Sequence, residues 1–144
     1  MFDSHGKFIV SLQGNILRVD ASGPFNHEAV DCYQEDVIAA LKSLSGPWGQ
    51  LILMHANCLY TPEAEERMYH FSQLRKELGL KAIALVFVDQ DAMFIVKDKI
   101  SSFYKNIDIT YHFFTQQLLA EQWLATQLQP TMRSEHLSEV NYHI

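Results

Sequence analysis

The chain has 144 residues, of which 48% are hydrophobic and 19% are charged, and this composition excludes a disordered or low-complexity protein. Its length suits one domain, and a chain of this size buries roughly 68–70% of its unfolded surface, so the core needs no metal or disulfide to hold it. Seventeen acidic residues against 11 basic ones leave a net charge of −6, which argues against a nucleic-acid binder or a polybasic membrane anchor.

The first residues and the cysteines predict the compartment. Charged residues come early, at Asp3 and Lys7, and no apolar run of signal-peptide length follows them. No segment approaches the ~20 apolar residues that cross a bilayer. Cys32 and Cys58 have no CxxC spacing, and we interpret them as small apolar side chains rather than a disulfide. These features predict a cytoplasmic protein without stable membrane insertion.

Apolar periodicity divides the chain into nine segments. Alternation at every second residue predicts strands, and spacing of three or four residues predicts helices. Asn26 and Thr61 are natural helix N-caps, and Pro62 and Glu63 make the second of these the strongest helix start in the chain. The predicted elements are strands 7–12 and 15–21, helix 27–44, strand 51–54, the helix between 61 and 79, strand 82–88, helix 91–104, strand 107–114 and a helix that starts at 115 and ends before 130.

This order, β-β-α-β-α-β-α-β-α, predicts an α/β fold with a five-stranded, mostly parallel sheet and an N-terminal antiparallel edge strand. Strands 51–54 and 82–88 are apolar on both faces, so we expect them in the middle of the sheet. Residues 1–128 are expected to form a single domain. Residues 129–144 carry five apolar side chains and are expected to pack on the domain or on a partner subunit.

Consecutive crossovers that run in one direction along a sheet place their helices on the same face, and four helices then leave the second face without enough cover. We therefore expect the centre of the second face to be covered by the tail, by a second subunit or by an apolar ligand. Trp48, between the first helix and the next strand, has two readings. It is either an interface anchor in a loop or a side chain that packs over the edge of the sheet.

The element order and a few local patterns resemble the SpoIIAA-like superfamily, which includes STAS-like and CRAL-TRIO-like proteins. The patterns are the first hairpin, residues 28–30 and 37–41 of the first helix, the Leu51–Met54 strand and the Ala120-Glu121-Gln122-Trp123-Leu124 helix. The resemblance covers about residues 5–128. It implies a one-directional β-α winding and a non-catalytic regulatory or ligand-sensing module.

In the anti-sigma-factor antagonists of that superfamily, a phosphorylated Ser or Thr lies in an Asp-Ser/Thr-Ser-Gly motif between the third strand and the second helix. The corresponding residues here, 56–61, contain no Asp, Gly or Ser. Thr61 is the single aliphatic hydroxyl in this stretch and thus the one candidate phosphoacceptor. Helix capping already accounts for it, so a phospho-switch is not expected.

Ligands of parallel sheets gather beyond the carboxyl ends of the strands, and this rule selects our candidate residues. Cys58, with His55 or His112 and Asp89, has the residue types of a nucleophile, a base and an orienting acid. These residues follow separate strands, however, so their spacing in the sequence is no evidence for a catalytic triad. The candidates for ligand or partner binding are His55, Asn57, Cys58, Tyr60, Thr61, Asp89 and Asp91.

The sequence lacks the motifs that are typical of metal and nucleotide sites. The seven histidines form no HxH, HxxxH or HExxH pair. Asp89 and Asp91 lack the glycine and the distal glutamate of a calcium loop. The six glycines never fall into GxGxxG or GxxxxGK spacing. We expect no metal and no cofactor.

The function we expect is a cytoplasmic, non-catalytic, STAS-like interaction or sensing module. It would be a homodimer that presents the loops at 22–26, 56–61 and 89–91 to a protein partner or a small ligand. The alternative is a carrier of a small apolar or lipid-like ligand, bound on sheet surface near Met54, Phe87 and the tail. A thiol-dependent enzyme is the third and weaker reading.

Overall fold

A computed structural model describes residues 6–89 and 93–129, without the side chains of residues 93 and 94. The expected packing of the tail and the candidate Asp91 therefore lie outside the described residues. The strands are β1 (Lys7–Gln13), β2 (Ile16–Ser22), β3 (Trp48–Met54), β4 (Leu80–Phe87) and β5 (Thr110–Phe114). The helices are α1 (His27–Leu41), α2 (Pro62–Glu77), α3 (Met93–Tyr104) and α4 (Gln117–Gln127), and a 3₁₀ turn spans Lys105–Ile107.

The five strands form one sheet in the order β1-β2-β3-β4-β5. β1 pairs antiparallel with β2, and every other pair is parallel. The α/β class, the element order and the antiparallel edge strand are confirmed. The two most apolar strands, β3 and β4, both lie inside the sheet, because apolar residues on both faces of a strand need cover on both sides.

The helices cover the two faces unequally. α1, α2 and α3 pack on one face, over side chains such as Val19, Ile52 and Leu85. α4 packs on the other face, where its Ala120 and Leu124 meet alternate side chains of β3 and β4. The centre of the second face is therefore covered by α4, so the expectation that it needs a tail, a subunit or a ligand is wrong.

Two strands begin three residues away from their predicted starts. β3 begins at Trp48 rather than Leu51, and Trp48 is fully buried with its indole Nε1 donating to the carbonyl oxygen of Leu78 at 3.0 Å. A Trp that fills the core cannot anchor an interface. β5 begins at Thr110 rather than residue 107, because Asp108 adopts the left-handed conformation (φ 56°) and interrupts the extended backbone.

The first two helices begin at the residues that the local sequence predicts. The side chain of Asn26 accepts a hydrogen bond from the backbone N–H of Ala29 at 2.9 Å, and Thr61 Oγ1 accepts one from Ala64 at 3.2 Å. Both predicted N-caps are confirmed. Two other helix ends differ from the prediction, since α1 ends at Leu41 rather than residue 44 and α4 begins at Gln117 rather than residue 115. Among the helices of the described residues, none has the length and apolar character that crossing a membrane requires.

Candidate functional site

The site is built on two loops at the carboxyl end of the sheet, one after β2 and one after β3. The strand pairing continues into them, since the backbone N–H of Gly23 donates to the carbonyl oxygen of Ala56 at 3.0 Å. Phe25 N–H then donates to Leu59 at 2.8 Å and its carbonyl oxygen accepts from Thr61 at 3.0 Å. These hydrogen bonds join residues 22–26 and 55–61 into one unit, which we call the paired loops.

Gly23 makes the close approach of the paired loops possible. A Cβ atom at this position would lie 1.9 Å from the carbonyl oxygen of Asn57, far inside van der Waals contact. The opposing atom belongs to the backbone, so it cannot move aside as a side chain would. Any residue other than glycine therefore forces the two loops apart.

Asn57 and two apolar side chains are exposed at this end of the sheet. Asn57 adopts the left-handed conformation (φ 57°), which asparagine tolerates better than most residues. Leu59 is 51% exposed, and Val88, directly after β4, is 52% exposed. The backbone N–H of Val88 donates to the carbonyl oxygen of Met54, which places Val88 beside the second loop. We call Asn57, Leu59 and Val88 the carboxyl-end surface; sequence reasoning had not selected the last two.

His55 belongs to a polar chain on the second face of the sheet. Its Nε2 lies 2.9 Å from Asp20 Oδ1, and the other carboxylate oxygen of Asp20 accepts from Arg18 Nε at 3.1 Å. Partial burial raises the pKa of Asp20, but the hydrogen bonds from His55 and Arg18 lower it by more, so it lies below the usual value. Alternation along β2 predicts that Arg18 and Asp20 share a face, but no pattern predicts the contact with His55.

Cys58 is a buried side chain within the paired loops. Its thiol lies 3.6 Å from the carbonyl oxygen of Ala21 and 3.7 Å from that of His55, and it donates weak hydrogen bonds to them. Burial raises the pKa of Cys58 to about 11, so the thiol is protonated at neutral pH. The structure thus brings Cys58 to the backbone of His55, while the imidazole ring is bonded to Asp20. That arrangement suits packing better than nucleophilic attack.

The other two members of that hypothetical triad lie elsewhere. His112 packs against the rings of Phe114 and Trp123 on the face that α4 covers, whereas Cys58 packs in the core beneath α1, α2 and α3. Asp89 is exposed just after β4. The described residues contain no group of three His, Cys, Asp or Glu side chains able to hold a metal ion.

Tyr60 and Thr61 close the second loop and have structural contacts. The ring of Tyr60 packs against Phe25 and Phe103, with centroids 4.8 Å and 5.2 Å away, and burial raises the pKa of its phenol well above the usual value. Thr61 Oγ1 is engaged in the N-cap of α2. Tyr60 therefore supports the loop from below, and the described candidates that are exposed are Asn57, Thr61 and Asp89.

No family model matches the chain, and no curated protein sequence matches it significantly. The inference of function consequently depends on the geometry of the site.

Proposed function

We propose that the chain is a cytoplasmic, non-catalytic, SpoIIAA-like interaction module that works as a homodimer and binds a protein partner through the carboxyl-end surface. The observation that carries this proposal is the exposure of Leu59 and Val88 at one end of the sheet. Exposed apolar side chains grouped on a rigid support are typical of interaction sites. The unpaired state of Cys32 and Cys58 fits a reducing compartment.

The rigidity of the support favours a preformed binding surface. The paired loops satisfy their backbone groups with each other, and Phe25, Cys58 and Tyr60 anchor them in the core. A partner would therefore meet loops whose backbone is already held in place, which lowers the entropic cost of association. The position agrees with the general location of binding sites in parallel sheets, beyond the carboxyl ends of the strands.

Site-specific photo-crosslinking in host cells tests the proposal, with a photoreactive amino acid at Leu59. Leu78 is the matched control, because it is a leucine of similar exposure (44%) at the amino end of β4. We expect a discrete adduct from position 59 alone. After mass spectrometry identifies the partner, Leu59→Asp should weaken the purified complex by about tenfold, while Leu78→Asp leaves its affinity unchanged. Equal adducts from both positions would contradict the proposal.

A second candidate function is the binding of a small apolar ligand. The expected surface near Met54 and Phe87 is not open, since both side chains are almost fully buried. A groove of about 300 Å³ does lie beside β5. Lys97 is at its rim, with its ammonium 5.3 Å from the ring centroid of Phe113. The groove is lined by Phe87, Lys97, Phe113, Phe114, Thr115 and Leu119.

Apolar walls with one cation favour a ligand that has an apolar body and a carboxylate. Calorimetric titration of the purified protein with decanoate tests this candidate. Decanoate should bind more tightly than decanol, and Lys97→Met should abolish the difference between them. If neither compound binds the native chain, the candidate function is wrong.

A further inference from the structure

β1 is an unprotected edge of the sheet in the described residues. It pairs with β2 on one side, and no described strand lies on its other side. Its seven residues contain no proline, and the register with β2 runs from Lys7 to Gln13 without a bulge. Its single charge is Lys7, at the first position. Natural edge strands are usually short, charged, bulged or covered, and β1 has little of this protection.

The opposite edge, β5, differs on these points. It has five residues instead of seven. Lys97 of α3 reaches over the ring of Phe113 and places a charge beside this edge. Short length and a nearby lysine are two of the devices that prevent strands from adding to a sheet. The two edges of the same sheet are thus unequal, and β1 is the one suited to receive another strand.

The side chains of β1 also offer apolar contact on both faces. Phe8, Val10 and Leu12 are half-buried and border the core on the helix side, while Ile9 on the other side is 61% exposed. A groove of about 380 Å³ lies along the edge, between β1 and α1. It is lined by Gly6, Lys7, Phe8, Ile9, Glu28, Ala29, Cys32 and Tyr33.

We infer that a second copy of this chain adds to the sheet along β1, antiparallel, with Val10 on the two-fold axis. This inference rests on the proposed homodimer and names its surface. Seven residues that pair fully with their own copy must centre on the middle one, so Phe8 faces Leu12 of the partner subunit and Lys7 faces Gln13 of the partner subunit. The strand is self-complementary on its helix side in this register, because Phe8 meets Leu12 and Val10 meets Val10 of the partner subunit. Ile9 meets Ser11 on the other side, and no like charges are opposed.

The groove between β1 and α1 can receive side chains of the partner subunit. Phe8 lines it, and in the two-fold register the residue opposite Phe8 is a leucine. The rings of Phe8 and Tyr33 are stacked, with centroids 4.1 Å apart. A leucine in this position would pack beside these rings and remove apolar surface from water. The result is a continuous ten-stranded sheet, with the carboxyl-end surface of each subunit left free.

Cysteine crosslinking tests the axis. In a Cys32→Ser background, Val10→Cys places two cysteines opposite each other with Cα atoms about 4.5–5.5 Å apart, within the range that a disulfide spans. His112→Cys is the matched control, since His112 is the central residue of β5. Oxidation should convert Val10→Cys into a covalent dimer and leave His112→Cys monomeric. Crosslinking of both variants alike, or of His112→Cys alone, would overturn the inference.

Sedimentation velocity separates this inference from the proposal beneath it. Gln13 is exposed. In the proposed dimer it faces Lys7 of the partner subunit, and the two-fold axis makes this pair occur twice. Gln13→Lys should therefore weaken dimerisation by about two- to tenfold, and Gln13→Glu should strengthen it similarly. A wild-type dimer that responds to neither charge and gives no Val10→Cys crosslink means a different surface. A wild-type chain that is monomeric at all concentrations overturns the homodimer as well.

Discussion

Arg75 of α2 donates a hydrogen bond from Nη1 to Gln50 Oε1 of β3 at 2.8 Å, and both side chains are completely buried. The remaining partners of the guanidinium are neutral too. Nη2 donates to Ser72 Oγ at 2.9 Å, and the ring of Phe71 lies 4.7 Å from the guanidinium carbon. Burial lowers the pKa of Arg75, but the phenol oxygens of Tyr104 and Tyr33 more than offset this, so the group stays charged.

A buried cation held by neutral dipoles predicts an unusual order of stabilities. Gln50→Leu removes the strongest acceptor and leaves the charge, so it should cost about 2–3 kcal/mol of unfolding free energy. The double variant Arg75→Met/Gln50→Leu removes the charge as well and should be more stable than Gln50→Leu alone. Urea denaturation measures both values.

Gln73→Met is the control for this comparison, since Gln73 lies on the same helix two residues before Arg75 and is exposed. It should change the unfolding free energy by less than about 0.5 kcal/mol. If the double variant is less stable than Gln50→Leu, Arg75 stabilises the core through packing alone and the charge argument is wrong.

Acid should destabilise the fold partly through Asp20. Its pKa lies below the usual aspartate value of 3.8, so the unfolded chain binds a proton more readily than the native one. The stabilisation by Asp20 is thus fully present above pH 3.8 and is lost as the pH falls through the lower native value. Asp20→Asn should flatten the dependence of the urea midpoint on pH in this acidic range. Asp36→Asn, at an exposed position of α1, should leave the curve unchanged.

The two cysteines should react at very different rates. Cys32 is exposed, whereas Cys58 is buried and its pKa is raised to about 11. Iodoacetamide at pH 8 should therefore modify Cys32 in the native protein and reach Cys58 only after unfolding in urea. Mass spectrometry of the wild type and of Cys32→Ser gives the site of modification. Rapid alkylation of Cys58 in native Cys32→Ser would instead revive the thiol-enzyme hypothesis.

Gly23→Ala should disrupt the paired loops. The added Cβ meets the carbonyl oxygen of Asn57 at 1.9 Å, and overpacking of this kind costs about 1–3 kcal/mol. Gly14→Asn is the control, because Gly14 also lies in a turn but has open space around it, and asparagine tolerates its positive φ. Hydrogen exchange should show faster exchange at Phe25 and Thr61 in Gly23→Ala alone. Unchanged protection there would mean that the loops do not support each other.

Much of the fold was predictable because its signals are local. Strand and helix periodicity, the N-caps at Asn26 and Thr61 and the glycine after α2 each depend on residues a few positions apart. The interior position of β3 and β4 followed from apolar residues on both of their faces. The packing of α4 on the second face was not predictable. α4 follows the last strand and connects no two strands, so the direction of the crossovers does not determine the face on which it packs.

The candidate site was predictable in location and not in detail. His55, Asn57 and Cys58 do lie at the carboxyl end of the sheet, as the rule for parallel strands requires. Their roles depend on contacts with distant residues. Asp20 and His55 are 35 positions apart, and Gln50 and Arg75 are 25 apart.

Residue order alone was thus sufficient for the element types, their sequence along the chain and the caps, because backbone dihedrals and apolar spacing are governed by neighbours within one or two turns. Packing decided the properties that depend on long-range contact: the charged Arg75 buried in the core, the protonated thiol of Cys58, and the exposed Leu59 and Val88 beside the paired loops. Burial and hydrogen bonding between separate strands and helices set these properties, and no local pattern encodes which of those surfaces meet.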